Sequence, residues 1–266
     1  MKQEELKEIC NKVAELAMET GQFIVQERKE MTADSIEVKG VHNFVTDIDK
    51  KTEEFLVKGL SNILPNAGFI AEEGTGSKND HYNWIIDPID GTTNFIHGAP
   101  PYSISIALMD QEEVLVGVIY ELTLIECFTA WKGGGAFLNN NPIKVSKTGK
   151  VDDALVATGF PYTDYDRMEA FMETIRHFMK HSHGIRRLGS AAADLAYVAC
   201  GRYDAFYEYG LSPWDVAAGV LLIQEAGGRL SDFEGGDNYI FGGEMIAASG
   251  MVFEEFRDDI MRIMKD

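Results

Sequence analysis

Two aspartates three residues apart, Asp87 and Asp90 in WIIDPIDGTTNF (residues 84 to 95), end an apolar run in a chain whose formal net charge is -19. Like charges about 4 Å apart repel by roughly 4 kcal/mol at an effective dielectric near 20, so something must offset them. Pro88 disfavours a helical conformation at Asp87, Gly91 permits a positive φ, and Thr92 or Thr93 is a competent N-cap for the short apolar stretch that follows. A β-turn over Asp87 to Asp90 would bring their Cα atoms within about 7 Å. Carboxylates so placed can bridge two metal ions about 3.5 to 4 Å apart. The N–H groups after Asp90 would then open an anion site at a helix start. The plainer reading, a strand end with turn and cap residues, accounts for one acid and leaves the other without a role.

Other acids sit at comparable places. Glu72 and Glu73 in AEEGTG follow a strand-like run just before the Asp87 strand, where they serve either a solvated loop or the same site. In SPWDVAAG, Ser212 at the N-cap, Pro213 at the first helical position and Asp215 at the third form a capping-box variant. The helix that follows is apolar nearly all round, so Asp215 stands at a buried helix start, where a metal is an equally good partner. FVTDIDKK also reads two ways, with Asp49 either a first-turn acid behind an N-cap Thr46 or a site residue. These candidates offer oxygen only, which suits a hard ion such as Mg²⁺ rather than zinc. An EF-hand loop is excluded, since neither the Asp47 nor the Asp87 register supplies Gly at the sixth position and Glu at the twelfth. His177, His181 and His183 have zinc-like spacing but close a predicted helix, where they complement the helix dipole.

The elements that must position these residues follow from periodicity. Two helices are expected over Glu4 to Arg28 and Lys50 to Leu60, then strands in GFIAEE, NWIID, YSISIALM, VLVGVIYE and LIECFTAWKGGGAFLN, with NNNP closing a hairpin before IKVS. Successive strands with few helices between them predict a largely antiparallel sheet. The second half alternates instead. ALVATGF reads as a strand, RMEAFMETIRHFMKH as a helix ending at Gly184, AAADLAYVACG as a small-residue helix, YDAFYEY as a strand and WDVAAGVLLIQEAGG as a buried helix. The change of pattern predicts subdomains over 1–146 and 147–266, the second carrying Asp215.

At 266 residues and 45% hydrophobic composition the chain can bury a sizeable core. The acidic balance argues against nucleic acid as a partner and against an anionic substrate, unless bound cations invert the local field. Cys10, Cys127 and Cys200 are too scattered for a disulfide framework, and MKQEELKEIC is too charged for a signal peptide, so a reducing cytoplasmic compartment is expected. The longest charge-free run, Gly91 to Met109, carries two prolines and several hydroxyls, so no membrane span is expected.

WIIDPIDGTTNF and WDVAAGVLLIQEAGG resemble the two signatures of the inositol monophosphatase family of Mg²⁺-dependent, lithium-sensitive phosphatases, with FIAEEG, RRLGSAA and FYEYG in the family's order. The resemblance implies a layered αβαβα sandwich of the sugar-phosphatase type, α+β or α/β in class. The N-terminal sheet would be largely antiparallel and the C-terminal one mixed. It implies two or three Mg²⁺ ions on Glu72, Asp87, the Ile89 carbonyl, Asp90 and Asp215, with Gly91 and Thr92 cradling phosphate. Glu72 and the Thr92 hydroxyl would position the attacking water, with Asp49 as the acid partnering Thr92. Gly189, Ser190, Ala191 and Glu208, with Asp90 and Asp215, would face the alcohol portion of the substrate. It implies a homodimer hydrolysing inositol 1-phosphate or a similar polyol phosphate. Fructose-1,6-bisphosphatase and NADP(H) phosphatase activities are the nearer rivals, and a non-catalytic metal-binding interaction protein the more distant one. The family usually has a polar residue after Glu-Glu, whereas AEEGTG is glycine-rich, which predicts a mobile loop. A haloacid-dehalogenase-type nucleophile motif is set aside because its two acids stand two residues apart, not three.

Overall fold

The helical spacing of Leu6, Ile9, Val13, Leu16 and Ile24 gives α1 (Gln3–Arg28) one continuous apolar stripe, and Ile48, Leu56 and Leu60 give α2 (Asp47–Ile63) another. In the computed structural model, which describes residues 1–29, 36–40, 43–111, 113–161 and 165–265, these helices lie side by side on one face of a seven-stranded sheet. Its strands run in chain order: β3 (Gly68–Ala71), β4 (Tyr82–Asp90), β5 (Ser103–Asp110), β6 (Glu113–Glu121), β7 (Glu126–Trp131), β8 (Gly135–Leu138) and β9 (Asn141–Ile143). Only β3 and β4 pair in parallel. Before α2, β1 (Ile36–Gly40) and β2 (Asn43–Thr46) form a separate antiparallel pair.

Alternation along β5 shows why this sheet must be covered on both sides. Ile104, Ile106 and Leu108 pack toward α1 and α2, whereas Ala107 and Met109 face the opposite layer. That layer is α5 (Ala191–Ala199) and α6 (Pro213–Ala226), whose small or apolar residues are buried nearly all round because sheets lie above and below them.

The second sheet is mixed, in the order β11 (Gly184–Arg186), β10 (Leu155–Thr158), β12 (Ala205–Tyr209), β14 (Glu244–Ser249), β13 (Gly228–Ser231). Its far face packs α4 (Met168–Lys180) and α7 (Phe253–Ile263) through Phe171, Phe178, Phe253 and Phe256. The layers therefore alternate helix, sheet, helix, sheet, helix, with three hydrophobic clusters between them, as the family resemblance implies.

Expected boundaries move by a few residues, most at α2, which runs from Asp47 to Ile63 rather than from Lys50 to Leu60, and at the end of α4. The α4 pattern was extended to Gly184, but the helix ends at Lys180 because His183 N–H bonds to Ala154 and residues 184–186 pair with β10. Cys10 and Cys127 are buried thiols, Cys200 is half-buried, and none is in a disulfide. Among the described residues no helix is long and apolar enough to cross a membrane.

Candidate metal centre and substrate wall

The expected turn at Asp87 to Asp90 is a bulge in a strand. Asp87 faces Ser105 and Asp90 faces Ser103 on β5, so three steps of β4 match two of its partner. In a regular strand, residues three apart point to opposite faces, and the extra residue cancels that inversion. Pro88, which has no N–H to give the ladder, occupies the irregular stretch, and Ile89 N–H turns back to Asp87 Oδ1 at 2.9 Å. Asp87 and Asp90 thereby converge with Asp215, their oxygens within 4.8 Å of one another.

The helix after the bulge starts one residue earlier than expected. Gly91, at φ 91°, is the N-cap of α3 (Thr92–His97), so neither Thr92 nor Thr93 fills that position. A Cβ on Gly91 would meet Gly189 O at 3.0 Å and Pro101 O at 3.2 Å, so a side chain would be both strained and crowded. Asn94 fastens this corner by donating to the carbonyls of Pro101 and Leu188 at 2.8 and 2.7 Å.

Each acid is held from outside the cluster. Asp90 Oδ2 accepts from Ser190 Oγ at 2.5 Å, Ala192 N at 2.8 Å and Ser103 Oγ at 3.4 Å, so a first-sheet carboxylate helps cap α5 in the other half. Asp215 is at once cap and cluster member: its Oδ2 accepts Ser212 N–H at 2.7 Å, completing the capping box of α6. The two readings of this residue were never exclusive. Asp49 is buried on α2 and accepts the Thr92 hydroxyl at 3.3 Å, the same hydroxyl lying 3.0 Å from Ile89 O. Asp47 is exposed. Glu72 begins the turn after β3 and lies outside the three-acid group, yet its charge acts on Asp87.

The electrostatics follow from burial and like charge. Asp87 is pushed well above the ordinary carboxylate range by loss of water, then by the charges of Glu72, Asp90, Asp215 and Asp49. Burial raises Asp90 to about 6 against the pull of its Ser190 and backbone donors. Asp215 rises to about 7 through burial and the nearby Asp90. Oxygen-only carboxylates, two of them buried, converging on one point and repelling one another fit a hard divalent cation.

Beside this cluster stands a second acidic wall. Glu208 on β12 is buried, with its carboxyl atoms 1.9 to 2.1 Å from where a Cβ on Gly159 would sit, so only glycine leaves it room. Ser190 and Ala191 are buried and Gly189 half-buried, with φ 89°. Sequence reasoning missed Asp194, buried on α5 with neither oxygen hydrogen-bonded, whose one signal was an acid inside the apolar run AAADLAYVA. It also missed Arg187, whose charge pulls the pKa values of Asp194 and Glu208 down against burial. Ser103 and Ser105 carry the faint signal of hydroxyls two apart in an apolar strand, and Ser105 donates to Trp214 O at 2.9 Å. The histidines lie outside the centre, His177 pairing with Asp259 at 3.0 Å.

A buried carboxylate cluster beside a glycine-capped helix start, between two sheets with helices inside and outside them, is the arrangement of a cation centre set against a helix start. A profile described as the inositol monophosphatase family matches residues 5–263. The inositol-1-monophosphatase of Mesorhizobium japonicum is 39% identical over 246 residues, 92% of each chain. The Nus factor SuhB of Pseudomonas aeruginosa is 38% identical over 256 residues, 94% of each. Among solved structures, the Thermotoga maritima IMPase superposes with a TM-score of 0.86 at 34% identity, covering 95% of this chain and 96% of that one. The chain belongs to the inositol monophosphatase family.

Proposed function

We propose that the protein is a Mg²⁺-dependent phosphomonoesterase that hydrolyses inositol 1-phosphate, or a similar polyol phosphate, to the free alcohol and phosphate. The observation that carries this reading is the convergence of Asp87, Asp90 and Asp215 within 4.8 Å, beside the Thr92 hydroxyl that Asp49 accepts. Two or three Mg²⁺ ions held by Glu72, Asp87, the Ile89 carbonyl, Asp90 and Asp215 would supply charge neutralisation and a water of lowered pKa. The chain's own groups do the rest. Gly91 and Thr92 cradle the phosphoryl oxygens, and the Asp49 carboxylate orients the Thr92 hydroxyl toward the water that Glu72 faces. Gly189, Ser190, Ala191 and Glu208 line the alcohol side, with Asp90 and Asp215 in reach of its hydroxyls. Residues 1–146 and 147–266 act as two halves that meet at this site, and the working form is a cytoplasmic homodimer.

The test is kcat/KM with and without Mg²⁺ across inositol 1-phosphate, fructose 1,6-bisphosphate and NADP. Inositol 1-phosphate ranking first supports the substrate choice; its ranking last removes it in favour of bisphosphatase or NADP(H) phosphatase activity. No Mg²⁺-dependent release from any of the three removes the catalytic reading. A second reading draws on a relative named Nus factor SuhB: a protein that keeps the metal-binding core and works by binding another macromolecule.

A further inference from the structure

Glu53 takes no part in the chemistry described so far, although it is a fully buried carboxylate on the α2 face that also carries Asp49, four residues earlier. Its two oxygens are used separately: Oε2 accepts Glu73 N–H and Oε1 accepts Thr75 N–H, each at 2.7 Å. Between those anchors the chain makes a tight turn closed by Gly74 N–H to Ala71 O at 3.2 Å, with Gly74 at φ 84°. Glu72 is the first corner of that turn, and its own N–H bonds to Ile86 O on β4 at 3.3 Å. A glycine-rich segment that the sequence marks as mobile is thus clasped from one side by β4 and from the other by α2.

We propose that Glu53 is a positioning residue for the cation site: by clasping residues 73 and 75 it sets Glu72 against Asp87. This rests on the reading of Glu72 and Asp87 as metal ligands. One helix then serves both sides of the centre, Asp49 holding the Thr92 hydroxyl and Glu53, a turn later, holding the loop of Glu72. The demand on Glu53 is specific. Two N–H donors about two residues apart need two acceptor oxygens, and a glutamine has one.

The experiment titrates Mn²⁺ against the full-length protein by electron paramagnetic resonance of the free ion, alongside Mg²⁺-dependent phosphate release. Glu53→Gln should weaken Mn²⁺ affinity roughly tenfold, the lower end of what loss of a ligand-supporting partner costs. It should leave substrate KM at saturating Mg²⁺ within about twofold, since nothing on the alcohol wall is touched. Because Glu53 acts through Glu72, the Glu53→Gln/Glu72→Gln double variant should bind no more weakly than Glu72→Gln alone. Glu53→Asp, which keeps the charge but shortens its reach, should move affinity in the same direction and decides the matter if Glu53→Gln does not fold. Wild-type Mn²⁺ affinity in the folded variants, or additive losses in the double variant, overturns the role of Glu53 alone. Wild-type protein that binds Mn²⁺ but releases no phosphate overturns the phosphatase reading and leaves Glu53 standing. Failure of the wild type to bind Mn²⁺ overturns both.

Discussion

Two groups of buried acids stand side by side here, and they differ in the charges that act on them. Asp194 and Glu208 are pushed well above the ordinary carboxylate range by burial and by neighbouring acids, with the guanidinium of Arg187 acting in the opposite direction. Asp87, by contrast, is raised by burial and then by the charges of four further acids, Glu72, Asp90, Asp215 and Asp49. Hydrogen-bond donors follow the same division: Ser190, Ser103, Ala192 and Ser212 fix Asp90 and Asp215, whereas Asp194 has no hydrogen bond to either oxygen. A wall whose carboxyls are held toward the neutral form can contact a neutral polyol, while oriented carboxylates that repel one another call for an ion from solution.

Substitutions that exchange these properties should have effects of decreasing size. Asp87→Asn or Asp215→Asn should reduce Mg²⁺-dependent phosphate release at least about a hundredfold, measured at saturating substrate. Above about pH 7, Asp215→Asn should raise the melting temperature of the metal-free protein, because it removes a charge that Asp90 repels. Unchanged turnover in either variant would remove that residue from the centre. Gly159→Ala, which sets a methyl group against the Glu208 carboxylate, should cost about 1 to 3 kcal/mol through overpacking. It should raise KM with little change in the Mg²⁺ half-saturation concentration; the reverse pattern would place Glu208 among the ion's neighbours instead.

The third expectation concerns pH. Asp90 and Asp215 are raised to about 6 and about 7 in the folded chain, from 3.8. Between about pH 4 and 7 the folded, metal-free state therefore holds more protons than the unfolded one, and its stability should fall as pH rises through that window. Saturating Mg²⁺ should flatten or invert the slope, since the ion binds only the deprotonated acids. Melting curves from pH 5 to 8, with Mg²⁺ and with chelator, check the sign. Smallest of all, Asp194→Asn at neutral pH should shift stability by less than about 1 kcal/mol, because a strongly raised carboxyl is already neutral there. A loss of several kcal/mol on chemical denaturation would show Asp194 to be ionised against Arg187.

How much of this the sequence disclosed depended on whether the cause was local. Asp87, Pro88, Asp90 and Gly91 carry their constraints in their own backbone chemistry, so a kink with two acids and a glycine corner was legible. Whether the kink was a turn or a bulge was not, because the register is set by Ser103 and Ser105 on the neighbouring strand. Asp215 showed its cap from its spacing to Ser212. Asp49 and Asp47 were indistinguishable by type, and only the packing of α2 buries one and exposes the other. Arg187, Asp194 and Glu53 went unread because each meets its partners across the fold. The antiparallel first half and the alternating second half were legible from the pattern of elements, although β13, β14 and α7 escaped it, and the layer order followed only from the family resemblance.

The Asp90 carboxylate does more than complete a cluster. It is a latch: rooted in the first sheet, it closes on Ser190 and Ala192 at the head of a helix in the layer between the two sheets. Any ion that draws Asp87, Asp90 and Asp215 together also draws the first sheet onto the helix layer that carries Asp215. Loading the centre and fastening the sandwich are then a single thermodynamic event, and chelation should loosen the seam long before it melts either sheet.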